Sequence, residues 1–295
     1  MDLPFVSASL GVKIADLRKI ESQLFQLDVK SNDELVNFLN HLQIGGSVEA
    51  KDLETLLLEV EKHFFGELLE LFDEDGYHYL DLAFADEILT LLNLKLHELS
   101  FDEKFKKYDY LHLSLKDLLA EEGSLKDNYR SILQEVENAS LNDPRASEAL
   151  LVKVYYDDLR KRFKNNPYLL AKEYALNTRT LLRAARFKFS FEDYASELLG
   201  DDVLKEKYQG FYLLDLNQLE MTLKEKVEPA IGELFHNMLK DTKSADHYVD
   251  LYLENKISDL LFSDEVVDLL IVYMMISKRI VKYLKKVAYQ VDDYE

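Results

Sequence analysis

Apolar positions recur at helical spacing along almost the whole chain. Leu53, Leu57, Val60, Phe64, Leu68 and Leu71 follow one another at intervals of 3 or 4 residues. That rhythm puts them on one stripe of a helix. It predicts helix from near Ser47 to the acidic turn Asp73-Glu74-Asp75-Gly76. Val266, Leu270, Tyr273, Ser277, Ile280, Leu284 and Val287 alternate intervals of 4 and 3 without a break. A seam kept this long predicts a helix paired with another long helix, within the chain or from a partner. Ser263-Asp264-Glu265 supplies its start. Other starts are just as legible. Ser31-Asn32-Asp33-Glu34 is a capping box, in which the Ser hydroxyl accepts from the Glu amide and the Glu reaches back. Asp143-Pro144 and Asn166-Pro167 each put a capping side chain before a proline at the first helical position.

A possible internal repeat lies on this pattern. Leu91 to Glu103 and Leu181 to Asp193 are both apolar helices that run into Ser-Phe-acidic-acidic, at Ser100–Glu103 and Ser190–Asp193, offset by 90 residues. A further start, Ser263-Asp264-Glu265, follows 73 residues later and lacks the Phe. Two capping boxes can align by chance; a true repeat implies a stack or ring of similar helical modules. Turn-like stretches at Glu121–Ser124, Asn138–Pro144 and Gly200–Gly210 contain no long Gly/Ser or Pro-rich linker. Modules joined this way pack directly on one another.

Composition narrows the class further. Nine glycines and four prolines in 295 residues are far below the ~12% that globular chains average. Sheets and hairpins need tight turns built on those residues, so an all-α fold with short polar loops is the expectation. With no cysteine there is no disulfide, thiolate nucleophile or Cys-based metal site, and a reducing, cytoplasmic setting fits. Met1-Asp2-Leu3-Pro4 does not read as a secretory signal. The longest apolar run, from Val266 to Ile276, is broken by Asp268 and too short to span a bilayer. A net charge of −20 argues against nucleic acid and against adsorption to anionic lipid.

Catalytic signatures are missing. There is no GxGxxG, GxxxxGK[ST], GxSxG or HExxH, and the seven histidines share no helical face. A calcium loop starting at Asp73 would need Glu where Phe84 stands and would place Gly76 too early. Carboxylates such as Glu59, Glu61 and Glu67 lack the Glu-x-x-His motifs of a di-iron bundle. The expectation is a protein without cofactor, metal, small-molecule substrate or catalytic residue. Against the acidic background, Arg179, Arg183 and Arg186 stand at intervals of 4 and 3, aligning three guanidinium groups on one face. They read either as a docking patch for a partner's carboxylates or as partners for this chain's own Asp and Glu. Lys278, Arg279, Lys282, Lys285 and Lys286 read as cations complementing the end of the last helix.

Tyr174-Ala-Leu-Asn177-Thr-Arg-Thr180-Leu-Leu-Arg183-Ala, leading into Phe191-Glu-Asp-Tyr and Leu198-Leu-Gly200-Asp, resembles a segment of the C subunit of rotary V/A-type ATPases, the d subunit in eukaryotes. Leu91-Leu-Asn93-Leu-Lys95-Leu is similar to the first copy of the same element. The last helix departs from the family: Lys278 and Ile280 stand where glutamates are expected and Tyr283 where asparagine is, while Lys285 keeps the basic character of an arginine. The resemblance covers most of the chain in helical layout and is specific around residues 174–200. It implies three similar helical modules, 1–105, 106–200 and 201–295, forming a pseudo-threefold funnel. It implies a non-catalytic subunit between the central-shaft subunits and the membrane proteolipid ring, peripheral to the membrane, or a divergent bacterial relative of that subunit. The alternatives are a helical-repeat adaptor unrelated to rotary ATPases and an all-α enzyme using scattered Asp, Glu and His.

Overall fold

The computed structural model describes residues 1–26, 32–41, 53–97, 127–139, 141 and 143–292. Among these the regular structure is α- or 3-10-helical, with no strand. None of the described helices is long and apolar enough to cross a membrane. The chain divides into two compact units. One takes the described residues of Met1–Ile88 and Leu260–Glu295, the other those of Leu89–Leu99 and Leu125–Asp259. Those boundaries differ from cuts at 105 and 200.

The first unit contains α1 (Leu3–Leu24), α2 (Asn32–His41), α3 (Leu53–Leu69), a 3-10 turn at Glu74–Tyr79 and α4 (Leu80–Ala83). The helix α5 (Ala85–Leu96) begins in it and ends in the second unit. The last helix of the chain, α14 (Val266–Asp292), forms the axis of the first unit. Six of the seven seam positions on α14 are buried: Val266, Leu270, Tyr273, Ser277, Ile280 and Leu284. α1 lies along it with Val6, Leu10, Ile14 and Leu17 inward, and α3 adds Leu57, Val60, Phe64 and Leu68. Each large aliphatic or aromatic side chain buried this way contributes about 1.5–3 kcal/mol. The long partner expected for the last helix is therefore α1, from the other end of the sequence.

The basic stretch on α14 has a different role from the one its sequence position suggests. The helix continues to Asp292, and no cation stands in its last turn. A terminal dipole acts only within that turn. Arg279 instead donates through Nε and Nη2 to the two carboxylate oxygens of Glu21 at 2.8 and 3.0 Å. Lys278 meets Glu87 at 2.6 Å and Lys285 approaches Glu61 at 3.8 Å. These side chains tie α14 to its neighbours.

The second unit contains α6 (Asp127–Asn138), α7 (Pro144–Arg162), α8 (Pro167–Phe187), α9 (Phe191–Ser196), α10 (Asp202–Gln209), α11 (Leu216–Lys226), α12 (Pro229–Lys240), a 3-10 turn at Thr242–Ser244 and α13 (Ala245–Leu260). Its starts follow the sequence. Asp143 accepts from the amide of Arg145 at 3.1 Å and Asn166 from that of Leu169 at 3.0 Å. Ser190 accepts from the Asp193 amide at 3.0 Å; before α14 of the first unit, Ser263 accepts from the Glu265 amide at 3.1 Å and donates to Asp268 in the helix's first turn at 2.7 Å. Ser31, Ser47 and the Ser100–Glu103 copy of the repeat lie outside the described residues. α11 and α12 form a tight hairpin, and α12 also packs on α8. Gly232 allows that approach, since a Cβ there would sit 2.1 Å from Lys224 Cγ and 3.0 Å from the carbonyl of Glu220.

Candidate functional site

α8 has Tyr168, Leu169, Ala171, Ala175, Leu181, Leu182 and Ala184 buried, as a central helix should. It also buries Lys172, Glu173, Asn177, Thr178 and Thr180. A buried polar group must find a partner or cost free energy comparable with a lost hydrogen bond. Asn177, with no exposure, donates through Nδ2 to the carbonyl of Leu199 and accepts at Oδ1 from the amide of the same residue, both at 2.8 Å. One side chain thereby completes the backbone of a residue 22 positions on and fixes the turn after α9 to α8. Gly200 follows with φ +108°, and a Cβ there would meet Leu204 Cδ2 at 2.5 Å. The short helix and glycine turn after the 174–187 segment are thus held by its own asparagine.

A second buried network lies on the same helix. The Thr178 hydroxyl lies 2.9 Å from that of Tyr208 and donates to the Tyr174 carbonyl at 2.7 Å. Tyr194 donates to the Tyr208 carbonyl at 2.8 Å. Burial pushes the phenols of Tyr194 and Tyr208 well above their ordinary range, so both stay neutral donors. Glu173, 1% exposed, is paired with Arg160, whose other nitrogen approaches Asp201 at 3.6 Å. Burial outweighs the attraction of the Arg160 guanidinium and pushes Glu173 up to about 7, helped by the negative charges of Asp201 and Asp157.

The arginine face opens on a cleft of about 570 Å³. All three sequence candidates line it. Arg179 meets Asp246 at 2.6 Å. Arg183 approaches Glu197 at 3.8 Å. Arg186 donates to the Thr242 hydroxyl at 2.6 Å and to the Leu239 carbonyl at 2.5 Å. Sequence spacing missed a fourth guanidinium: Arg145, from α7, donates to Glu197 at 2.8 Å and lies over the Phe189 ring at 4.1 Å. Its approach depends on how α7 packs, and no local spacing encodes that. Phe187, 71% exposed, stands at the rim. Leu176, Leu182 and Leu199 line the apolar part of the wall.

This cleft can bind negative charge, because guanidinium forks match carboxylate geometry. Among the described residues, no group of three or more Asp, Glu or His is arranged to hold a metal ion. No protein-family model matches the chain, and no curated protein matches it.

Proposed function

We propose that this chain is a non-catalytic rotor-coupling subunit of a V/A-type ATPase, seated between the central shaft and the membrane proteolipid ring on the cytoplasmic side. The observation that carries the reading is the clamp within residues 174–200. There Asn177 holds Leu199, Arg183 faces Glu197, and the short α9 and Gly200 complete the turn. Apart from Glu197, these are residues on which the resemblance to the C/d subunit rests. A torque-bearing element needs joints that do not yield, and a side chain bonded twice to one peptide unit makes such a joint.

The packing of α1 on α14 speaks against the adaptor alternative. In an open helical repeat each unit touches only its sequence neighbours. Here the Arg279–Glu21 pair joins positions 258 residues apart. Purification of a tagged central-shaft subunit from a cell that encodes the ATPase tests the proposal. Retention of this chain at low salt is expected; its absence from the complex overturns the rotor reading.

A further inference from the structure

The cleft on α8 is lined by four guanidinium groups and three carboxylates, Glu148, Glu197 and Asp246, and its positive charge is held only loosely. Glu197 is shared between Arg145 at 2.8 Å and Arg183 at 3.8 Å. Arg186 is held by neutral acceptors, Thr242 and Leu239, and forms no ion pair with a described residue. Arg179 is paired, but its partner Asp246 has a side chain 85% exposed. An ion pair so open to water is worth about 0–1 kcal/mol and is easily exchanged. Two guanidinium groups of a chain with net charge −20 are thus open to another carboxylate.

One of those two groups is also pre-placed: Thr242 and Leu239 fix the Arg186 fork. Side chains already ordered lose less entropy on binding. Arg179 and Arg186 are seven residues apart, about 10 Å along the helix at 1.5 Å per residue. Exposed Phe187 at the rim adds an aromatic, and Arg with aromatic side chains is the composition favoured at the centre of protein interfaces.

We infer that this cleft docks an acidic stripe on a helix of a partner protein, with carboxylates at alternating intervals of four and three residues meeting Arg179 and Arg186 while Asp246 is displaced. Carboxylates at that repeat lie on one face of a helix and match the arginine rhythm of α8. The inference goes beyond the rotor reading, because the chemistry of the cleft is the same in any assembly. A synthetic peptide tests it without the ATPase.

The probe is a fluorescein-labelled, alanine-based helical peptide with glutamates at that spacing. Its control has the same composition with the glutamates scattered around the helix. Fluorescence anisotropy against the full chain at low ionic strength should give saturable binding of the first and about tenfold weaker binding of the second, a difference of ~1.4 kcal/mol. Arg179→Gln and Arg186→Gln should each weaken binding severalfold. Asp246→Asn should strengthen it, since it removes the competing carboxylate; a purely structural Asp246 would not produce that gain. If Arg186→Gln loosens the fold, as thermal melting would report, Arg179→Gln and Asp246→Asn still decide the matter. No saturable binding, equal affinity for both peptides, or no response to Arg179→Gln and Asp246→Asn overturns the inference.

Discussion

The central helices of the two units do the same job by different means. α14 presents mostly apolar side chains to its neighbours, with Asp268, Ser277 and the Tyr273 hydroxyl as buried polar exceptions, and keeps ion pairs such as Arg279–Glu21 and Lys278–Glu87 on its flanks. α8 places Glu173, Asn177 and Thr178 in its buried surface; Asn177 is satisfied by the Leu199 backbone, and Thr178 by the Tyr174 carbonyl one turn back and the distant Tyr208 hydroxyl. An apolar interface is tolerant, because volume and shape fix its partners only loosely. A polar one is exacting, because a slip of one position leaves buried donors and acceptors unmet. The first unit is held by area, and the second is held in register.

The contrast predicts different sensitivities. The largest effect is expected at Arg160. Replacing it by Met leaves Glu173 buried and unpaired, at a cost of about 3–5 kcal/mol at pH 8. Because Glu173 is raised to about 7 from an ordinary 4.5, it is neutral in the fold under acid conditions. The cost of Arg160→Met should therefore shrink below pH 5, and urea unfolding at both pH values would reveal it. A cost independent of pH would remove the polar side of the comparison.

Asn177→Ala should come next, at about 3 kcal/mol, because it strips both bonds from the buried Leu199 peptide. Leu270→Ala on α14 is its apolar counterpart and should cost a similar ~3 kcal/mol by cavity formation. The two separate in their rescue. Leu270→Met should restore most of the stability, whereas Asn177→Leu, which keeps the branching at Cγ but loses both hydrogen bonds, should not. Chemical denaturation of the four variants checks this directly.

Glu173 also sets a pH dependence. A carboxyl whose folded value is raised binds more protons folded than unfolded between about 4.5 and 7. Its stabilising contribution is fully present below 4.5 and is lost as pH rises through 7. Glu173→Gln should flatten the stability profile over that window relative to the parent chain. The smallest effect is expected for Glu21→Gln, which loosens the flanking pair with Arg279 and should cost about 1 kcal/mol in chemical denaturation.

Much of this architecture was legible in the sequence. The seam from Val266 to Leu284 and the stripe from Leu57 to Leu68 are buried where their spacing put them. Asp143, Asn166 and Ser190 cap the helices they precede, and Ser263 braces the turn into α14 through Glu265 and Asp268. Periodicity and caps are local signals, and helices form locally. The remaining features depend on long-range pairing. Nothing near Asn177 names Leu199 as its partner, and nothing near Arg145 places it beside Arg183. The cations of α14 looked like a helix end because their carboxylates, Glu21, Glu61 and Glu87, lie some two hundred residues earlier. The division into two units was hidden for the same reason: the first unit is assembled from opposite ends of the chain.

The pairing of α1 with α14 also sets an order of events during synthesis. The second unit is nearly continuous in sequence, from Leu125 to Asp259 apart from a short earlier piece, and can gather its core while the ribosome is still translating. The first unit cannot. Until residues 266–292 emerge, Val6, Leu10, Ile14 and Leu17 on α1 have no apolar surface of α14 to cover them. α1 is translated long before α14, and through that interval its apolar stripe stays open to chaperones and to premature association.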